Sequence, residues 1–174
     1  MHSRPIMAFV STRRPNVPAF QPPSPFDMVA VLASARSLQH AAAAGAPRPL
    51  LRGKMLGLLS DADGSDEAVL FRRAAGELGA HVALIRPSLS TASAPDEIRY
   101  TARMLGRLYD AVECEGLAPA LVARLSADAG VPVYDALASA AHPTARLAEL
   151  LGDAAAPADN RRFVLQAVLL TTIG

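Results

Sequence analysis

Residues 51–81 read LRGKMLGLLSDADGSDEAVLFRRAAGELGAH, and this stretch decides the fold. Lys54–Leu59 is a short, mostly apolar run between Gly53 and the polar segment Ser60-Asp61-Ala62-Asp63-Gly64, which suits a strand buried in a parallel sheet. Ser65 is a natural N-cap for the helix that follows. Asp66 and Glu67 fall in its first turn, and Ala68, Phe71, Ala75 and Leu78 recur at helical spacing before Gly79 stops the pattern. A strand feeding a loop and then a helix N-terminus is an anion-binding geometry, because free backbone N–H groups and the positive end of the helix dipole point into the loop.

Working outward, the chain of 174 residues is 51% hydrophobic and 19% charged, which predicts one globular domain with a core of ordinary size. A formal net charge of +1 gives no warrant for nucleic acid or a membrane surface as partner. The single cysteine, Cys114, excludes a disulfide framework or a cysteine-rich metal site within one chain, and a cytoplasmic location is expected. His2, His40, His81 and His142 are too scattered to argue a metal site, and no cofactor is expected. His81, at a strand start, reads as packing.

Residues 1–25, rich in proline and arginine, read as a mobile arm. Its apolar run Ile6–Val10 is too short for a signal-peptide core. Ser24-Pro25-Phe26-Asp27 opens a helix with Ser24 as N-cap, whose inward stripe is Met28, Val31, Leu32, Ala35 and Leu38. Ala80–Ile85, Asp110–Cys114 and Val131–Tyr134 are three further strands. Between them come a helix from Pro95 with Ile98, Ala102, Leu105 and Leu108 inward, and another over Leu117–Ala129. Strands alternating with helices every thirty or so residues predict an α/β fold, a four-stranded parallel sheet with helices on both faces. Asp159-Asn160 caps a last helix, with Phe163, Val164, Ala167, Val168 and Thr171 on one face.

The central stretch resembles, without a gap, the carbamoyl-phosphate-binding segment of the aspartate/ornithine carbamoyltransferases, nearer the ornithine type. Leu51, Gly53, Lys54, Leu56, Val69, Phe71, Ala74, Leu78, Gly79 and His81 carry the match. Thr101–Arg107 looks like the family's Thr-Ala-Arg-Val-Leu-Ser-Arg helix, and His142-Pro143-Thr144 like its His-Pro-Cys/Thr-Gln motif, with Ala145 in place of the glutamine. The resemblance implies that residues 26–152 form a carbamoyltransferase N-terminal domain and that 153–174 form a linker and a C-terminal helix packed back on it. The family's second domain, which supplies the amino-acid site, has no counterpart in these 174 residues.

In the family, a Ser-Thr-Arg-Thr-Arg signature at the loop and helix start holds the phosphate. Here Gly64-Ser65-Asp66-Glu67-Ala68 stands in its place, and Glu115 replaces a second arginine after the third strand. A unit charge pair about 4 Å apart near a surface is worth up to roughly 4 kcal/mol, so each reversal turns attraction into comparable repulsion. Ser65 and His142 remain as ligand-binding candidates, His142 being the one catalytic candidate, while Asp66, Glu67, Glu115 and Ala145 are altered site positions.

Asp66 and Glu67 read first as helix-start charges that need no ligand. A cation or amine site made of Asp61, Asp63, Asp66, Glu67 and Glu115 is the alternative. Two functions follow from the resemblance: a non-catalytic relative acting by binding or assembly, or a residual carbamoyltransferase using His142 and backbone N–H groups. The resemblance also implies a homo-oligomer, a trimer, or a mixed oligomer with a complete carbamoyltransferase. The loop Arg86–Ala94, which would reach a neighbour's site, carries serines and no lysine.

Overall fold

The computed structural model describes residues 25–46, 48–61 and 64–174, with 25–27 as backbone only. The N-terminal arm, the Ser24 cap, Asp27 and Asp63 lie outside the described side chains. The order of elements is α1 (Pro25–Ala43), β1 (Met55–Leu59), α2 (Asp66–Glu77), β2 (His81–Ile85), α3 (Pro95–Leu108), β3 (Ala111–Cys114), α4 (Pro119–Ala129), β4 (Val133–Asp135), a 3-10 helix (Ala145–Leu151) and α5 (Pro157–Ile173). The four strands form one parallel sheet in the order β2-β1-β3-β4, the α/β architecture that the alternation of strands and helices predicts.

Strand alternation sorts the core into two layers. Leu56, Leu58, Ala111 and Tyr134 face α1, α2 and α5, while Leu59, Val112, Cys114 and Val133 face α3 and α4. Because β1 and β3 are neighbours whose following helices cover opposite faces, the chain reverses direction between them. That makes the crevice beyond their C-terminal ends the topological switch point, where open α/β sheets bind ligands.

Asp159-Asn160 lie inside the last helix, whose N-cap is Ala156, and Thr171 is exposed rather than on its inward face. Four further local expectations need correction. Leu108 is 58% exposed rather than inward, because α3 turns its Ile98, Ala102 and Leu105 side to the core. His81 is exposed, since β2 is an edge strand. Arg146–Leu151, which the family resemblance continues as an ordinary helix, belongs to a tight 3-10 helix over Ala145–Leu151. The last strand starts at Val133, after Pro132, which has no N–H and contributes only its carbonyl, to Val112 N.

The C-terminal helix departs most from expectation. α5 buries Phe163, Val164, Leu165, Ala167, Val168 and Leu169, so it is apolar around most of its circumference rather than on one face. It packs on α1, α2 and the 3-10 helix and fills the middle of the first core layer. Among the described residues no helix is long and apolar enough to cross a membrane.

Candidate functional site

The switch-point crevice is bridged by the protein's own side chains. Ser65, extended at φ −64° and ψ 152°, caps α2 by accepting the Ala68 N–H at 3.0 Å on its Oγ. Its hydroxyl proton is donated across the crevice to Glu115 Oε1, from the residue directly after β3. Glu115 is anchored by its own N–H to Leu59 O at 2.8 Å, and its Oε2 is buried without a hydrogen-bond partner among the described residues. A carboxylate therefore lies against the start of α2, where an anion would sit, and Asp66 and Glu67 add two more in the first turn.

Beside this bridge runs a cleft of about 600 Å³, lined by Asp66, Glu67, Ala145, Arg146, Glu149 and Arg161 among others. Of the residues singled out from sequence, Asp66, Glu67 and Ala145 meet here. Ser65 and Glu115 meet each other. His142 is held within its own turn: its Nδ1 takes the Thr144 N–H at 3.3 Å and lies 2.8 Å from Thr144 Oγ1. Accepting at Nδ1 places the ring proton on Nε2. Burial, with the nearby Arg161 charge adding to it, pushes the His142 imidazole down to about 4, so the ring is neutral around pH 7.

Two residues that sequence reasoning did not single out organise this loop. Arg161, at the start of α5 and 8% exposed, donates to Leu137 O, to Ser139 O at 3.2 Å and to Thr144 Oγ1 at 3.3 Å. Glu113, on β3 and 1% exposed, accepts the Ala138 N–H at 3.4 Å from the same loop. Burial pushes its carboxyl up to about 8, against the backbone N–H groups of Ala138 and Leu137, which lower it. A signal existed for both. Glu113 interrupts an apolar strand, and Arg161 lies three, four and seven residues before Val164, Leu165 and Val168 on the inward side of α5.

The two titrations give a pH profile with a defined sign. Glu113 holds a proton in the fold that the unfolded chain gives up near 4.5, so its contribution to stability is full at low pH and is lost as pH rises to about 8. His142 is neutral in the fold and protonates near 6.5 when unfolded, so its contribution is lost as pH falls toward about 4. Between 4.5 and 6.5 the two cancel. Above that, stability is expected to fall by about 1.4 kcal/mol per pH unit until pH 8. Urea unfolding at pH 6, 7 and 8 measures this, and Glu113→Gln should flatten the decline.

A model described as aspartate/ornithine carbamoyltransferase, carbamoyl-P binding domain, matches residues 21–152. The chain belongs to the aspartate/ornithine carbamoyltransferase family. It is 38% identical over 116 residues to an ornithine carbamoyltransferase of Actinobacillus pleuropneumoniae serotype 5b, covering 67% of this chain and 35% of that protein. An ornithine carbamoyltransferase of Cutibacterium acnes is 38% identical over 117 residues, with the same coverage. Among solved structures, ornithine carbamoyltransferase from Pyrococcus furiosus superimposes with a TM-score of 0.62 at 26% identity, over 72% of this chain and 40% of that one. The chain thus matches about a third of the length of these curated relatives, the carbamoyltransferase N-terminal domain alone.

Proposed function

We propose that this carbamoyltransferase-family domain does not bind carbamoyl phosphate and acts by binding or assembly rather than by carbamoyl transfer. The observation that carries the reading is the Ser65–Glu115 hydrogen bond, which sets a carboxylate of the protein against the helix start where the family would receive a phosphate. Asp66 and Glu67 reinforce the repulsion. His142, the remaining catalytic candidate, has its Nδ1 engaged by Thr144 and lines no part of the adjoining cleft. Ala145 has no polar group to offer a carbamoyl. The assembly that the family resemblance supports is a trimer of these domains, or a mixed one with a complete carbamoyltransferase.

Calorimetry with carbamoyl phosphate and with inorganic phosphate tests the reading. The wild-type chain is expected to give no binding heat at millimolar ligand, and Asp66→Arg combined with Glu115→Arg is expected to raise phosphate affinity by at least about tenfold. Micromolar carbamoyl phosphate affinity in the wild type, or formation of citrulline or carbamoyl-aspartate, would overturn it.

A further inference from the structure

The outer face of α3 carries a pattern that the fold does not use. Tyr100 is 72% exposed and Met104 40%, and the two lie one turn apart on the side of the helix that faces away from the core. Glu97 lies one turn before them and Arg107 one turn after, both exposed and neither in an ion pair among the described residues. The neighbouring Arg99 and Arg103 are by contrast matched internally, Arg99 to Asp96 at 2.7 Å and both arginines to Asp128.

We propose that α3 pairs antiparallel with α3 of a second copy of this chain across a two-fold axis at the level of Ala102. Positions 97, 100, 104 and 107 have the three-four-three spacing of a helix–helix seam. Reading that seam in the opposite direction returns its complement: Glu97 falls opposite Arg107 of the second copy, Tyr100 opposite Met104, and each pair occurs twice. An isologous contact requires this self-complementarity, with an apolar middle and opposite charges at the two ends. A partner of uniform charge would leave one end repelled. The other charged side chains of the helix are already matched, so nothing on this face opposes the pairing. The proposal stands apart from the loss of carbamoyl phosphate binding, since no residue of the seam lines the cleft or the Ser65–Glu115 bridge.

One helix of 14 residues is about 21 Å long and presents less than the roughly 800 Å² per partner of a standard stable interface. The α3 contact is therefore a weak one, separate from the surfaces that would form a trimer. Sedimentation equilibrium of the full chain over roughly 10 µM to 1 mM, a range suited to weak association, reads it directly. Glu97→Arg and Arg107→Glu are each expected to weaken association at least about tenfold, because either places two like-charge contacts in the seam. The double variant is expected to recover wild-type association within about threefold. Tyr100→Ser, which leaves the charges alone, should also weaken it. Thermal melts would show all four variants folded, as their side chains point to solvent. A monomer throughout the range, an assembly indifferent to the single reversals, or a double variant that fails to recover would each overturn the proposal.

Discussion

Replacing Gly106 by alanine is expected to destabilise the domain by about 3 kcal/mol, although the residue lies inside a helix where alanine is ordinarily preferred. A Cβ at this position would stand 1.7 Å from Ala129 O and 2.8 Å from Ala129 C, distances that no side-chain rotation relieves. Ala129 is the last residue of α4 and is followed by Gly130, which closes that helix with φ 71°. Its carbonyl can retreat only if α4 moves away from α3, opening the layer of Ala102, Leu105, Leu121 and Leu125 beneath. The alanine's gain in helix propensity, about 1 kcal/mol, offsets part of the clash but not most of it. Gly76→Ala is the matched control. It lies in α2 with nothing within 4 Å of the added methyl, so that variant should be more stable by about 0.5 to 1 kcal/mol. For a chain of this size the two melting temperatures should differ by roughly 10 °C. Equal melting temperatures would mean that α3 and α4 do not approach as closely as the glycine permits.

The same contrast shows what a sequence discloses. β1 and α2 were legible because their signals are local: a short apolar run, a serine cap, two first-turn acids and a period of about 3.6 that ends at Gly79. The reading of Asp66 and Glu115 as altered site positions rests on the motif resemblance of the residues around them. The contact of Glu115 with Ser65 was not legible, because it joins the start of α2 to the residue after β3, 50 residues apart, and depends on the strand order. The misreading of α5 has a related cause. A one-faced helix pattern assumes that one side meets water, whereas α5 is enclosed by α1, α2 and the 3-10 helix, and its polar Gln166 is satisfied inside by Ala74 O and Glu77. Leu108 fails in the opposite sense, because helical spacing alone does not say where a packed face ends.

Removing Arg161 should have an effect as large as the Gly106 substitution, and one that reaches the candidate site. Three acceptors on the loop that follows β4, Leu137 O, Ser139 O and Thr144 Oγ1, meet at this one guanidinium; Ser139 O also takes the His142 N–H and Thr144 Oγ1 also meets His142 Nδ1, whereas Leu137 O has no second partner among the described residues. That loop departs from the sheet through Ala136 at φ 51°, a left-handed conformation that a non-glycine residue keeps only when its surroundings hold it there. Arg161→Leu preserves the apolar packing of the stem but strands Leu137 O, unties the loop from α5 and removes the positive charge near Glu113. The expected cost is about 3 kcal/mol or more, read as a lower urea midpoint at unchanged slope. Arg161→Lys should recover only part of it, since one ammonium on a flexible stem cannot reproduce the planar fork. The site reports the change independently of stability. Burial is the main reason that the His142 imidazole is held down to about 4, and the Arg161 charge is the second. An NMR titration of His142 in Arg161→Leu should therefore move upward toward the ordinary histidine value without reaching it. A titration unchanged from wild type, together with an undiminished urea midpoint, would mean that α5 covers the sheet without holding the His142 loop.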